Sequence, residues 1–207
     1  MLFRSSSGRF TTGHPPDRVA ETGTEACRYD WGKLAVEILF HSLDVEAGRR
    51  LGAGRCAPVD VRPFDHGADA AAVFAVVEAC RAAAGQDDAA FAPAGIAAEL
   101  VSRPGRRVDA WLAWPQEEPS EPLGLVAVVE AGEREPRRFS IAWLLVHPQA
   151  RRRGIATALV AHALAAVHGR GAARLAVETH GAWPAASSFW RSIASSAGDV
   201  IENAEIV

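Results

Sequence analysis

Lysine is almost missing from this 207-residue chain: Lys33 is the only one, and every other cationic side chain that is not a histidine is an arginine. Together with abundant Ala and Gly, this reads as a bias towards GC-rich codons, so the number of arginines says little about function. Cysteine is also scarce. Cys27, Cys56 and Cys80 form no CxxC pair and have no metal-ligand spacing, which argues against a disulfide framework or a structural metal. An odd number of cysteines fits free thiols in a reducing cytoplasm. No apolar run approaches the roughly 20 residues that a membrane-spanning helix needs, and the first residues lack the apolar core of a secretion signal. There is no basic excess either. A net charge of −3 speaks against general binding to nucleic acid or to a membrane surface.

What remains is 49% hydrophobic and 23% charged, the balance of a globular protein with room for one domain of ordinary size. Residues 1–57 read as an N-terminal extension, with a mis-assigned start codon as the alternative. In it Met1–Thr24 is polar and expected to be disordered. Trp31–Leu43 has Leu34, Ile38 and Leu39 at helical spacing, and Gly48–Ala57 reads as a linker. Residues 58–207 form the expected domain. The strands are Val59–Phe64, Arg107–Trp114, Leu123–Glu130, Phe139–Val146 and Ala173–Thr179. The helices are Gly67–Ala84, Ala92–Ser102, Gly154–His168 and Pro184–Ala194. The resulting order is β-α-α-β-β-β-α-β-α, and no internal repeat is visible. The polar connection Pro115–Pro122 makes its two strands a hairpin. The strand–helix–strand unit Val146–Thr179 makes its two strands parallel neighbours, with any ligand at their carboxyl ends.

The junction at that edge carries the most information. Val146-His-Pro-Gln-Ala-Arg-Arg-Arg-Gly-Ile-Ala-Thr-Ala-Leu159 joins a strand to a helix through a tight turn. Pro148 has no N–H to give a ladder, so the strand stops there. Gly154 removes the side chain where the helix opens, so a ligand can approach the backbone. The free N–H groups and the positive end of the helix dipole then converge on one spot, as they do where a phosphate is held.

Arg151-x-x-Gly154-x-Ala156, with Leu144-x-Val146-x-Pro148 before it and Ala186-x-x-Phe189-Trp190 after the next strand, resembles the signature of the Gcn5-related N-acetyltransferases (GNAT). The order of elements from Val59 onward is similar to that fold as well. The resemblance implies an α/β (α+β) architecture: a mixed central sheet with helices on both faces and a splayed parallel strand pair that binds acetyl-CoA. It implies that Leu144, Leu145 and Val146 lie along the pantetheine arm, with backbone groups of Leu144 and Val146 pairing to it. It further implies that the pyrophosphate sits on Arg151, Arg152, Arg153, Gly154, Ile155, Ala156 and Thr157, with Phe189 and Trp190 along the coenzyme arm. The implied reaction moves acetyl from acetyl-CoA to a primary amine of a small molecule or peptide, with no metal. The competing reading is a CoA-binding regulatory or interaction module with weak catalysis or none.

Acetyl transfer needs an oxyanion donor, a base for the amine and an acid for the thiolate. The resemblance implies the Val146 backbone N–H as the donor. Many family members carry a Glu where this chain has Ser140, so Glu178 is the preferred base or amine-binding group, with Glu130 as the other carboxylate candidate. His147 and His180 lie at the same edge. At the position of the family's frequent Tyr stands Trp190, whose indole can donate a hydrogen bond but not a proton. Ser187 or Ser188 could donate instead; otherwise the thiolate leaves unassisted or takes a proton from water. Trp111 and Trp143 are expected in the core. The tail after the last helix is short, with Val200–Val207 able to supply one strand. An uncovered sheet edge would follow, closed by a homodimer or by the N-terminal segment folding back.

Overall fold

The computed structural model describes residues 38–48, 51, 58–84, 93–116, 121–131, 138–180 and 184–197. The expected disordered stretch Met1–Thr24, Trp31, Trp183, Tyr29, Cys27, Cys56 and the tail strand at Val200–Val207 lie outside these residues. Along the chain the elements are β1 (Ile38–Asp44), α1 (Val45–Gly48), β2 (Val59–Pro63), α2 (Ala70–Ala84), α3 (Pro93–Glu99), β3 (Arg106–Pro115), β4 (Gly124–Ala131), β5 (Arg138–Val146), α4 (Ile155–His168), β6 (Arg174–His180) and α5 (Pro184–Ala197), with a 3-10 turn at Pro148–Ala150. From β2 onward the order is the one expected from sequence, with boundaries shifted by a few residues.

Six strands make one sheet in the order β1-β6-β5-β4-β3-β2. The pairs β2–β3, β3–β4 and β4–β5 are antiparallel, and β5 and β6 are parallel, as the crossover through α4 requires. Two cores lie on the two faces. Val73, Val76, Val77 and Cys80 of α2 and Ile96 of α3 pack on Leu112, Leu125, Ala127, Trp143 and Leu145. Ile155, Leu159, Ala163 and Val167 of α4 and Trp190 and Ile193 of α5 pack on Val126, Ile141, Leu144, Val146 and Val177. The helical spacing of these apolar residues is what commits each helix to its face. Trp111 and Trp143 are in the core as expected.

β1 corrects the sequence reading. Residues 38–43, expected as the end of a helix, form a strand paired antiparallel with β6 from Ile38↔His180 to Asp44↔Arg174. His41, Leu43 and Val45 are buried while Ser42 is exposed, a period of two that the short segment also supports. The edge of β6 away from β5 is where this pairing goes. An N-terminal strand thus covers that edge within one chain, which meets the need that pointed to a homodimer.

Gly124 opens β4 at the point where β5 comes closest. A Cβ there would stand 2.6 Å from the backbone oxygen of Leu145 and 3.0 Å from Leu159 Cδ1. Neither strand nor helix can yield cheaply, so Gly124→Ala is expected to lower stability by about 1–3 kcal/mol, the usual range for overpacking. Urea unfolding measures this. An unchanged midpoint would mean that the strand ends are looser than this packing.

Candidate functional site

The parallel pair β5–β6 is hydrogen-bonded over a short stretch, with the register Ser140↔Ala176 and Ile141↔Val177. Beyond it the strands part. The cause lies in β5: Ala127 pairs with Trp143 and Val128 with Ile141, so Ala142 is an extra residue with no partner opposite on β4. Such a bulge bends its strand and puts two successive side chains on one face. Ala142 and Trp143 accordingly both belong to the α2–α3 core, whereas Ile141 and Leu144 belong to the α4–α5 core. A gap therefore opens between Trp143–Val146 and Glu178–His180 at the carboxyl ends of the two strands.

The backbone of β5 in the gap has defined directions. His147 N–H donates to Leu123 O across 2.9 Å, which makes Gly124↔Val146 a non-hydrogen-bonded pair of the β4–β5 ladder. Alternation then turns Leu145 towards β4, and the N–H and C=O groups of Leu144 and Val146 towards the gap. The backbone groups of Leu144 and Val146 thus face away from β4. The Val146 carbonyl, however, is already engaged: it accepts from Cys80 Sγ and from Arg151 Nε, each at 3.3 Å. Burial pushes the Cys80 thiol up, with Arg151 nearby pulling the other way, so the group stays a protonated donor.

The turn beyond β5 has the backbone of an anion site. Arg152 has φ 64° and Gly154 φ 82°, ψ 1°, so left-handed residues stand on either side of Arg153. Gly154 is the N-cap of α4 with no side-chain cap, and the N–H groups of Ile155, Ala156 and Thr157 have no partner in the first helical turn. Arg152 in a conformation unfavourable to a side chain is local strain of the kind found at binding sites. Arg152 and Arg153 are exposed; Arg151 is half-buried and turned inward to Val146. The structure thus splits the three arginines that the sequence offered as one group.

The carboxylate candidates separate too. Glu178 is half-buried at the first position beyond the last β5–β6 rung. Its neighbours Leu175 and Val177 point into the α4–α5 core, so Glu178 shares the opposite face with exposed Ala176. Glu130 is not brought to the site. β4 runs antiparallel to β5, so Glu130 pairs with Phe139 while the gap lies at Val126–Gly124, roughly 20 Å along the strand. There it is nearly buried and ion-paired with Arg170, at 2.9 Å, and Arg170 also holds Asp109. His147 is half-buried at the gap edge, and His180 ends β6 opposite Ile38. Ser188 is exposed and Ser187 is 5% exposed.

Trp190 sits in the core rather than along an open groove: it is fully buried, 4.9 Å edge-on from Phe189 and 6.4 Å from the ring of His41. Phe189 is half-buried against the same core. His41 is a feature that sequence reading missed. It is 3% exposed, neither ring nitrogen has a hydrogen-bond partner, and burial, then Arg191, lowers its pKa to about 4. Among the described residues no group of His, Cys, Asp or Glu could hold a metal ion, and no helix is long and apolar enough to cross a membrane.

Three comparisons place this geometry among known proteins. The model of the acetyltransferase (GNAT) family matches residues 86–192. Among solved structures, a functionally unknown conserved protein from Staphylococcus epidermidis superposes with a TM-score of 0.59 at 14% identity, over 81% of this chain and 58% of its own. A ribosomal-protein-alanine N-acetyltransferase from Brucella melitensis biovar Abortus gives 0.51 at 18% identity, over 72% of this chain and 96% of its own. A tandem GNAT protein from the clavulanic acid biosynthesis pathway gives 0.52 at 17%, over 86% and 52%. The chain thus spans little more than half the length of the first and the third, and at such identities these likenesses speak for the fold alone. No curated protein matches the sequence.

Proposed function

Since the chain belongs to the GNAT family of acetyltransferases, we propose that it is an N-acetyltransferase moving acetyl from acetyl-CoA to a primary amine of a small molecule or peptide. The observation that carries this reading is the gap between β5 and β6, bordered by the uncapped N-terminus of α4. In this reading the backbone N–H groups of Arg152, Arg153, Gly154, Ile155 and Ala156 hold the pyrophosphate, and Leu144 and the Val146 N–H border the pantetheine arm. Gly154 brings no side chain to the uncapped helix N-terminus and holds a left-handed φ there, so the residues present fit the group. When bound, acetyl-CoA supplies an acetyl group activated as a thioester.

The protein's own contribution is to position, to stabilise charge and to take a proton. The Val146 N–H faces the gap and donates to the thioester oxygen as charge develops there. Glu178 stands at the mouth of the gap and receives the proton of an amine that, at a pKa of about 10.4, arrives mostly charged. No Tyr is available at Trp190, and the buried indole only donates a hydrogen bond. The thiolate therefore leaves unassisted or takes a proton from water, and Ser187 or Ser188 offers it at most a hydrogen bond. A cytoplasmic location, where Cys80 remains a thiol, belongs to the same proposal.

Release of free thiol from acetyl-CoA over a panel of primary amines tests this. The wild type turns over at least one of them, and Glu178→Gln loses about 100-fold in kcat/KM, the lower end of what a general base contributes. Tight CoA binding with no turnover on any amine would support a binding module instead.

A further inference from the structure

Two side chains far apart in sequence share one acceptor at the gap. Cys80 comes from the C-terminal third of α2, Arg151 from the turn after β5, and both donate to the Val146 carbonyl. The peptide to which that carbonyl belongs is tied on its other side too, since its N–H, on His147, donates to Leu123 O. The peptide on the other flank of Val146 is fixed as well, because Leu145 and Leu125 face each other as a hydrogen-bonded pair of the β4–β5 ladder. Val146 is thus held at both peptide planes, and only its own N–H is left to point into the gap. A strand that has just left its parallel neighbour would otherwise be free to twist at this end.

We propose that Cys80 and Arg151 are positioning residues that hold the Val146 carbonyl and so aim the Val146 N–H at the thioester oxygen. This rests on the acetyltransferase reading and on the role it gives that N–H. The clamp also ties α2 to the pyrophosphate turn. Cys80 is fully buried, so loss of the thiol leaves the carbonyl to Arg151 alone. Loss of both donors leaves a buried carbonyl with no partner, which costs more than either loss by itself.

The experiment combines Cys80→Ala, Cys80→Ser, Arg151→Met and the Cys80→Ala/Arg151→Met pair. Cys80→Ala is expected to lower kcat three- to tenfold, with the dissociation constant of CoA, measured by calorimetry, within twofold of wild type. Cys80→Ser, which keeps a donor, recovers most of kcat. In the pair, kcat falls at least threefold further than the product of the two single losses, because the two donors serve one acceptor. Two readouts need no turnover. The Raman S–H band of the wild type, minus that of Cys80→Ala, lies at the frequency of a hydrogen-bonded thiol, and the His147 amide exchanges faster in the variant. A free-thiol band, an unchanged kcat in Cys80→Ala, or strictly multiplicative losses would overturn the proposal. If the wild type binds CoA but acetylates no amine, the acetyltransferase reading fails, and with it the aiming role; the Raman band and the exchange rate then report the clamp separately.

Discussion

Replacing Gly154 with valine is expected to raise the KM for acetyl-CoA, and the dissociation constant of CoA, by about 100-fold while the protein remains folded. Two costs act together. Gly154 has φ 82°, a conformation that costs an ordinary residue roughly 1–2 kcal/mol and a β-branched one more. In the proposed site the added side chain would also stand among the N–H groups that hold the diphosphate, and the ligand would have to move away from them. A loss of about 2.7 kcal/mol in binding corresponds to 100-fold. Gly154→Asn separates the two costs, since Asn tolerates the left-handed region but still carries a Cβ. It should keep most of the stability and lose affinity nearly as much as valine. A valine variant whose CoA affinity stays within threefold of wild type would show that the turn does not hold the diphosphate.

Acid is expected to destabilise the protein through His41. Its folded pKa, about 4, lies below the 6.5 of an exposed histidine, because burial between β1, β6 and α5 disfavours the charged ring. The unfolded chain therefore binds the extra proton first. The titration of His41 costs nothing well above pH 6.5, and its penalty grows as pH falls from 6.5 to about 4. Over that window the loss approaches about 3 kcal/mol, at 1.36 kcal/mol for each unit of difference. His41→Phe removes both the titration and two unpartnered ring nitrogens. Urea unfolding at pH 7.5 and pH 4.5 should show the wild type losing this stability and the variant keeping the His41 share of it. Parallel losses in the two proteins would place the acid sensitivity elsewhere.

The sequence was most legible where one element carries one period. α4 has Ile155, Leu159, Ala163 and Val167 on a single stripe, and the hairpin strands β3 and β4 are set off by the polar connection between them. The turn was legible because Pro148, Gly154 and Ala156 each have a local backbone reason. β1 was not, since Leu34, Ile38 and Leu39 suit a helix, and the strand's reason to exist is an edge on β6 more than 130 residues away. The bulge at Ala142 was hidden as well: Phe139–Val146 is apolar almost throughout, so no alternation betrays a shift of one residue. Glu130 was misplaced although the hairpin itself contained the answer, because an antiparallel strand ends at the opposite edge from its neighbour. The bonds of Cys80 and Arg151 to one carbonyl are tertiary, and nothing local in the chain announces them.

The central claim, that the gap and the turn beside it grip the coenzyme through backbone N–H groups, is tested most directly by following amide proton and nitrogen resonances as CoA is added. The account predicts that the amides of Arg152, Arg153, Gly154, Ile155 and Ala156 shift together with that of Val146, saturating at one equivalent, while Glu130 at the far end of β4 stays where it is. Saturable binding that leaves the turn amides unmoved would contradict it.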